Sequence, residues 1–376
     1  MRAVLHKVGL YIHWPFCQAK CPYCDFNSHV VAKVDQAAWR SAYSAEIARY
    51  RAEMPDVVVQ SVFFGGGTPS LMEAETVTSV LNDVQRAWRT TNDVEITLEA
   101  NPTSVEADRF AGYRAAGVNR VSLGVQALND ADLRRLGRLH SVAEARAAVD
   151  LARSTFDRLS FDLIYARQDQ SLSDWETELD AALALAADHL SLYQLTIEDG
   201  TAFGARFAAG GLRGLPEEDL AADMFALTQE MTLAAGLPAY EISNHARPGA
   251  ESRHNMIYWS GQDYIGFGPG AHGRVTIDGK RWATEAVSAP MKWLAGVRSG
   301  TQVEERSALT ADDQIAERLM MGLRVLDGVP LSEIDVSSSK ISSLEEIGVV
   351  KQTSERLRLT AAGRPLLNAI LRELLA

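Results

Sequence analysis

With 376 residues, 47% of them hydrophobic and 23% charged, the chain has the make-up of a soluble globular protein with one large domain and a smaller one. A formal net charge of −12 argues against broad non-specific binding to nucleic acid, and no nucleic-acid partner is expected. No run approaches the roughly 18 apolar residues of a membrane span, and "MRAVLHKVGLYIHWPF" lacks the features of a signal peptide. A cytoplasmic protein without a membrane anchor is expected.

In chain order, strand candidates fall at residues 9–14, 57–64, 94–100, 120–126, 158–165 and 189–197. Several are apolar on both faces, as strands covered on both sides should be. Helices lie between them. Asp35 opens one whose Trp39, Tyr43, Ile47 and Tyr50 share a face. Ser104 precedes another that closes on Gly117. The pairs Ser141 with Glu144 and Ser173 with Glu176 have capping-box spacing. About six strand–helix alternations predict an α/β fold with a parallel sheet, either open and doubly wound or a full or partial barrel. In either case the chemistry belongs at the C-terminal strand ends.

After about residue 200 the rhythm breaks. Residues 1–240 read as the core, 241–300 as a connecting segment rich in Gly, aromatic residues and His, and 301–376 as a C-terminal domain. That last part reads as two helices, a short hairpin and a helix, a winged-helix-like arrangement, with "DVSSSKISS" (335–343) as a polar connector.

All three cysteines of the chain, Cys17, Cys21 and Cys24, lie within "CQAKCPYC" just after the first strand. Clustered thiols without an export signal point to metal chemistry rather than disulfides. Three thiolates leave one iron of a 4Fe–4S cluster open to a substrate or cofactor. The competing reading is structural zinc, with His13 or His29 as the fourth ligand. After the second strand, "FFGGGTPS" (63–70) allows a close backbone approach to a ligand, or simply makes a tight strand–helix turn. Glu99, Gln126 and Asp162 are polar residues at successive strand ends.

The CxxxCxxC spacing with Tyr23 before the last cysteine resembles the signature of the radical S-adenosylmethionine (SAM) superfamily. That resemblance implies a partial (β/α)6 barrel and a 4Fe–4S cluster held by Cys17, Cys21 and Cys24, with SAM chelating the open iron. It also implies that Gly66, Gly67 and Thr68 meet the SAM amino group. "YIHWPFC", "GGGTPS", "LEANP", "RVSLGVQ", "GRLH" and "DLIY" in this order narrow the resemblance. They are similar to the branch holding oxygen-independent coproporphyrinogen III dehydrogenase and heme chaperones. Carried over from the dehydrogenase, Tyr11, Tyr23, Gly66, Gly67, Thr68, Glu99, Gln126, Arg138 and Asp162 contact SAM, some of them a second SAM.

Three departures matter. Phe26 stands where the dehydrogenase pattern has a further cysteine. "HNMIYW" (254–259) matches a motif associated with the chaperones. It offers His254 and Tyr258 as candidate heme ligands and Trp259 as a stacking surface, or else a structural turn. Arg167, in "LIYARQDQ", puts a charge where relatives place a small turn, and the sequence gives no account of it. The resemblance therefore implies a heme chaperone that passes heme to acceptor proteins, membrane-bound respiratory enzymes being candidates, with homodimerisation a role open to the cluster. The alternative is oxidative decarboxylation of coproporphyrinogen III.

Overall fold

A computed structural model describes residues 6–103 and 109–376. Its centre is one 11-stranded sheet. Six strands run parallel, each beside the one before it in the chain: β1 (His6–Trp14), β2 (Val57–Gly66), β3 (Arg89–Ala100), β4 (Arg120–Gln126), β5 (Arg158–Tyr165) and β6 (His189–Gln194). This sequential order is that of a partial barrel. It does not close, because β6 and β1 pair with other strands. β7 (Asn244–Ala246) lies antiparallel on β6, while β8 (Tyr264–Phe267) adds in parallel to β1. An antiparallel meander, β9 (His272–Ile277), β10 (Lys280–Ala286) and β11 (Glu304–Ala308), completes that side. The stretch 241–300, read above as a connection, thus supplies strands to both edges of the sheet.

The crossovers explain why the strands are apolar on both faces. In β1, Val8, Leu10, Ile12 and Trp14 are fully buried. Asp35 caps α1 (Gln36–Glu53) by accepting from the Ala38 amide. The expected face of α1, Trp39, Tyr43, Ile47 and Tyr50, is buried. Trp39 stacks on Trp293 with ring centroids 5.4 Å apart, which ties α1 to the helix Pro290–Ser299. Truncating such a residue costs about 3–5 kcal/mol.

Gly117 ends its helix in the left-handed region, as expected. Ser104 lies outside the described residues. Ser141 and Glu144 form a capping box. The box before Leu172–Leu185, however, is Ser171 with Asp174, not Ser173 with Glu176. Both registers are present in "SLSDWE", and the upstream serine wins with aspartate in the role sought for glutamate. The sixth strand ends at Gln194; Leu195 and Ile197 leave the sheet to pack with Tyr23 and Phe203.

The C-terminal part has its own core around Leu319, Val329, Leu357 and Ile370. Helices Ala311–Gly322 and Ser338–Glu346 precede the hairpin Val350–Gln352 and Arg356–Leu359, which a short strand, Val329–Pro330, extends to three strands, and Leu367–Leu375 follows. Residues 335–343 are not simply a connector. The serines from 338 onward begin a helix that buries Ile341 and Leu344.

Candidate cofactor and ligand site

β1 and β2 end side by side, with Trp14 opposite Gly66, and this register puts the cysteine loop against the glycine turn. The Gly67 amide donates to the Trp14 carbonyl at 2.7 Å, and the Thr68 amide to that of Phe16 at 2.8 Å. Gly66 has φ +109°, in the region that favours glycine, and a Cβ there would meet the His13 ring. A Cβ on Gly67 would fall 2.7 Å from the Phe16 carbonyl oxygen. Gly66 and Gly67 thus close the turn onto the loop with no room for side chains.

Thr68 and Arg138 both reach the thiols. Thr68 Oγ1 donates to Cys17 Sγ, and Arg138 Nη1 to Cys21 Sγ, each at 3.4 Å. Asn101 links them: its amide donates to Thr68 Oγ1 at 3.2 Å, and its oxygen accepts from Arg138. All three thiols are half-buried. Burial raises those of Cys17 and Cys24 above the usual thiol range, and neighbouring thiols add to the effect. Among the described residues, no three His, Cys, Asp or Glu side chains converge tightly enough to hold a single ion. His13 is also committed: Nδ1 bonds the Tyr11 hydroxyl and Nε2 the Asn27 carbonyl. His29 Nε2 bonds Asn27 Oδ1. A loop of three thiols whose neighbours His13 and His29 are hydrogen-bonded elsewhere suits a cluster with one open iron better than structural zinc.

The strand-end carboxylates lie beside this loop. Burial, with the Asp162 charge adding to it, lifts the Glu99 carboxyl to about 8, although the Gly66 amide donates to it. Asp162 is lifted to about 6 by burial, against the opposing pull of Arg138. Gln126 donates to Asp162 at 2.5 Å from a left-handed backbone, φ +69°, at an irregularity in β4. A non-glycine residue held there costs of order 1–3 kcal/mol and is characteristic of functional sites. Tyr23 packs on Phe203 and, like Tyr11, has its hydroxyl pushed up by burial.

"HNMIYW" forms the helix Arg253–Trp259, capped by Ser252 and laid on β1 and β2. Gly9 makes room for Ile257; a Cβ there would stand 2.8 Å from its Cδ1. His254 is buried, stacked on Phe63 at 4.8 Å, and uses both ring nitrogens: Nδ1 with Ser61 Oγ at 2.9 Å and Nε2 with the Tyr258 hydroxyl at 2.6 Å. Burial lowers its pKa to about 3. In this arrangement neither His254 nor Tyr258 presents a free iron ligand. Trp259 is half-buried, with the Arg324 guanidinium 4.8 Å from its ring centroid.

A cavity of about 540 Å³ joins the two groups of residues, a volume in the range of small-molecule sites. Tyr11, Gly66 and Glu99 line it at the strand ends; Tyr258 and Trp259 line it from the helix. Phe26, at the position of the missing cysteine, also faces it and is 59% exposed overall. The remaining wall comes from β9, β10 and Ala311–Gly322. Sequence reading missed this wall, as well as Asn27 and Asn101. Asn101 stands two residues past Glu99 in "LEANP" and could have been found there.

Residues 11–182 match the family model for the radical SAM superfamily, and residues 309–366 that for the HemN C-terminal domain. In fold, the chain is similar to Escherichia coli coproporphyrinogen III oxidase (HemN), with a TM-score of 0.81, over 98% of this chain and 90% of that one, at 22% sequence identity. Fold, loop and matches define a radical SAM protein with a HemN-type C-terminal domain. The heme chaperone HemW of E. coli strain K12 is 37% identical over 99% of both chains. The bovine mitochondrial radical S-adenosyl methionine domain-containing protein 1 is 37% identical over 98% of this chain and 88% of its own. The chain belongs to this HemW family within the radical SAM superfamily.

Proposed function

We propose that the chain is a heme chaperone that binds heme and passes it to acceptor proteins, carrying a SAM-chelated 4Fe–4S cluster on Cys17, Cys21 and Cys24. The observation that carries the reading is the single cavity running from the glycine turn to "HNMIYW"; full-length likeness to heme chaperones supports it. When bound, the cluster supplies an open iron for SAM. Thr68 and Arg138 steady the sulfurs, while Gly66 and Gly67 leave room for the SAM amino group. Glu99, Gln126 and Asp162 meet its polar groups, and Tyr11 and Tyr23 flank it. In this reading His254 and Tyr258 brace the helix, and Trp259 offers heme a flat apolar surface.

No helix among the described residues is long and apolar enough to cross a membrane. Cytoplasmic residence, membrane-bound respiratory enzymes as acceptors and a homodimer belong to the same proposal. The test pairs two assays on anaerobically reconstituted protein with SAM. Stoichiometric hemin binding without coproporphyrinogen III consumption is expected. Turnover of coproporphyrinogen III at the rate of a dehydrogenase would replace the chaperone with the enzyme.

A further inference from the structure

The wall formed by β9 and β10 carries groups that "HNMIYW" does not offer. His272, the first residue of β9, faces the cavity, is exposed, and makes no side-chain hydrogen bond among the described residues. Its backbone is fixed by pairing with Glu285 of β10. Two residues on, and so on the same face of the strand, Arg274 also reaches the cavity. Arg281 lines it from β10, where it pairs with Thr276, again on that face. Arg274 is held by Glu317. Arg281 is not matched in this way. Its buried Nε has no hydrogen-bond partner, and its nearest carboxylate, Asp263, stands 3.8 Å away through Oδ1 while its Oδ2 takes His6 and the Thr276 amide. A buried donor without a partner is costly unless a ligand satisfies it.

We propose that His272, rather than His254, is the protein ligand to the heme iron, and that Arg281, with Arg274 beside it, receives the heme propionates. This rests on the heme reading above. An imidazole nitrogen of His272 would donate its lone pair to the iron, with no change of redox state. Guanidinium forks match carboxylates in charge and geometry. Trp259 and Tyr264 supply apolar wall. His254 would have to break two hydrogen bonds to serve instead.

Hemin titration of the full-length reconstituted protein tests this, read by the Soret band and the dissociation constant. His272→Ala should shift the Soret band and weaken binding at least tenfold, and added imidazole should restore the wild-type band. His254→Ala should keep the wild-type band. Arg281→Gln should weaken hemin binding but leave the affinity for hemin dimethyl ester, which lacks free carboxylates, unchanged. Cluster absorbance reports folding of each variant. A wild-type band and affinity in His272→Ala, or equal losses for hemin and its ester in Arg281→Gln, would overturn the assignment while heme binding itself stood. Failure of the wild-type protein to bind hemin would sink both.

Discussion

Glu99 concentrates the electrostatics of the site in one side chain. Its carboxyl, lifted to about 8 by burial and by Asp162, is largely protonated at neutral pH in the ligand-free protein. Because the folded value lies above the ordinary one, its contribution to stability is full below about 4.5 and is lost as pH rises through about 8. The carboxylate form is the better partner for SAM hydroxyl and ammonium groups. The affinity of the wild-type protein for SAM, divided by that of Glu99→Gln, should therefore rise between pH 6.5 and 8.5. Taking the ratio cancels the ionisation of SAM itself; a flat ratio would remove Glu99 from the site. Arg167, unexplained from sequence, is a buried ion bridge: it donates to Asp132 at 3.0 Å, to Glu178 at 2.5 Å and to the Ile164 carbonyl at 2.5 Å. It thereby pins the helices Asp130–Arg135 and Leu172–Leu185 to the end of β5. Arg167→Met leaves Glu178 buried without its cation and should cost about 3–5 kcal/mol in chemical denaturation; a loss under 1 kcal/mol would contradict this role.

At the scale of elements, the glycine turn and the cysteine loop act as one unit, because two amides of the turn hold the Trp14 and Phe16 carbonyls. Gly67→Ala places a methyl against the Phe16 carbonyl and should part them. Iron and sulfide retention should fall several-fold at near-wild-type helical content; full retention would show that the turn is not needed to shape the loop. Strand–helix alternation and these motifs were legible because buried parallel strands, capping serines and close-packed glycines each leave a local pattern. The box at Ser171 was misplaced because "SLSDWE" offers two overlapping registers. The helix Ser338–Glu346 was hidden because only Ile341 and Leu344, three apart, betray it among serines. Of the strands within 241–300, β8 pairs with a partner more than 200 residues away, as Gly266 does with Tyr11, and no local pattern records such a pairing.

On the scale of the whole molecule, the strand ends, "HNMIYW" and the C-terminal helix Ala311–Gly322 meet around one cavity, so the parts that bind SAM and heme in this account are neighbours. Sequence motifs indicated the first two. The wall of β9 and β10 was not legible, since His272, Arg274 and Arg281 reach the cavity only when β8 joins β1 and carries the meander with it. The measurement closest to the central claim is heme transfer. Reconstituted protein loaded with one equivalent of hemin is mixed with a heme-free acceptor protein, and the Soret bands of donor and acceptor are followed. The account predicts one heme bound per chain and its passage to the acceptor with loss of the donor band. A chain that takes up no stoichiometric heme, or holds it unchanged in the presence of every acceptor offered, would contradict it.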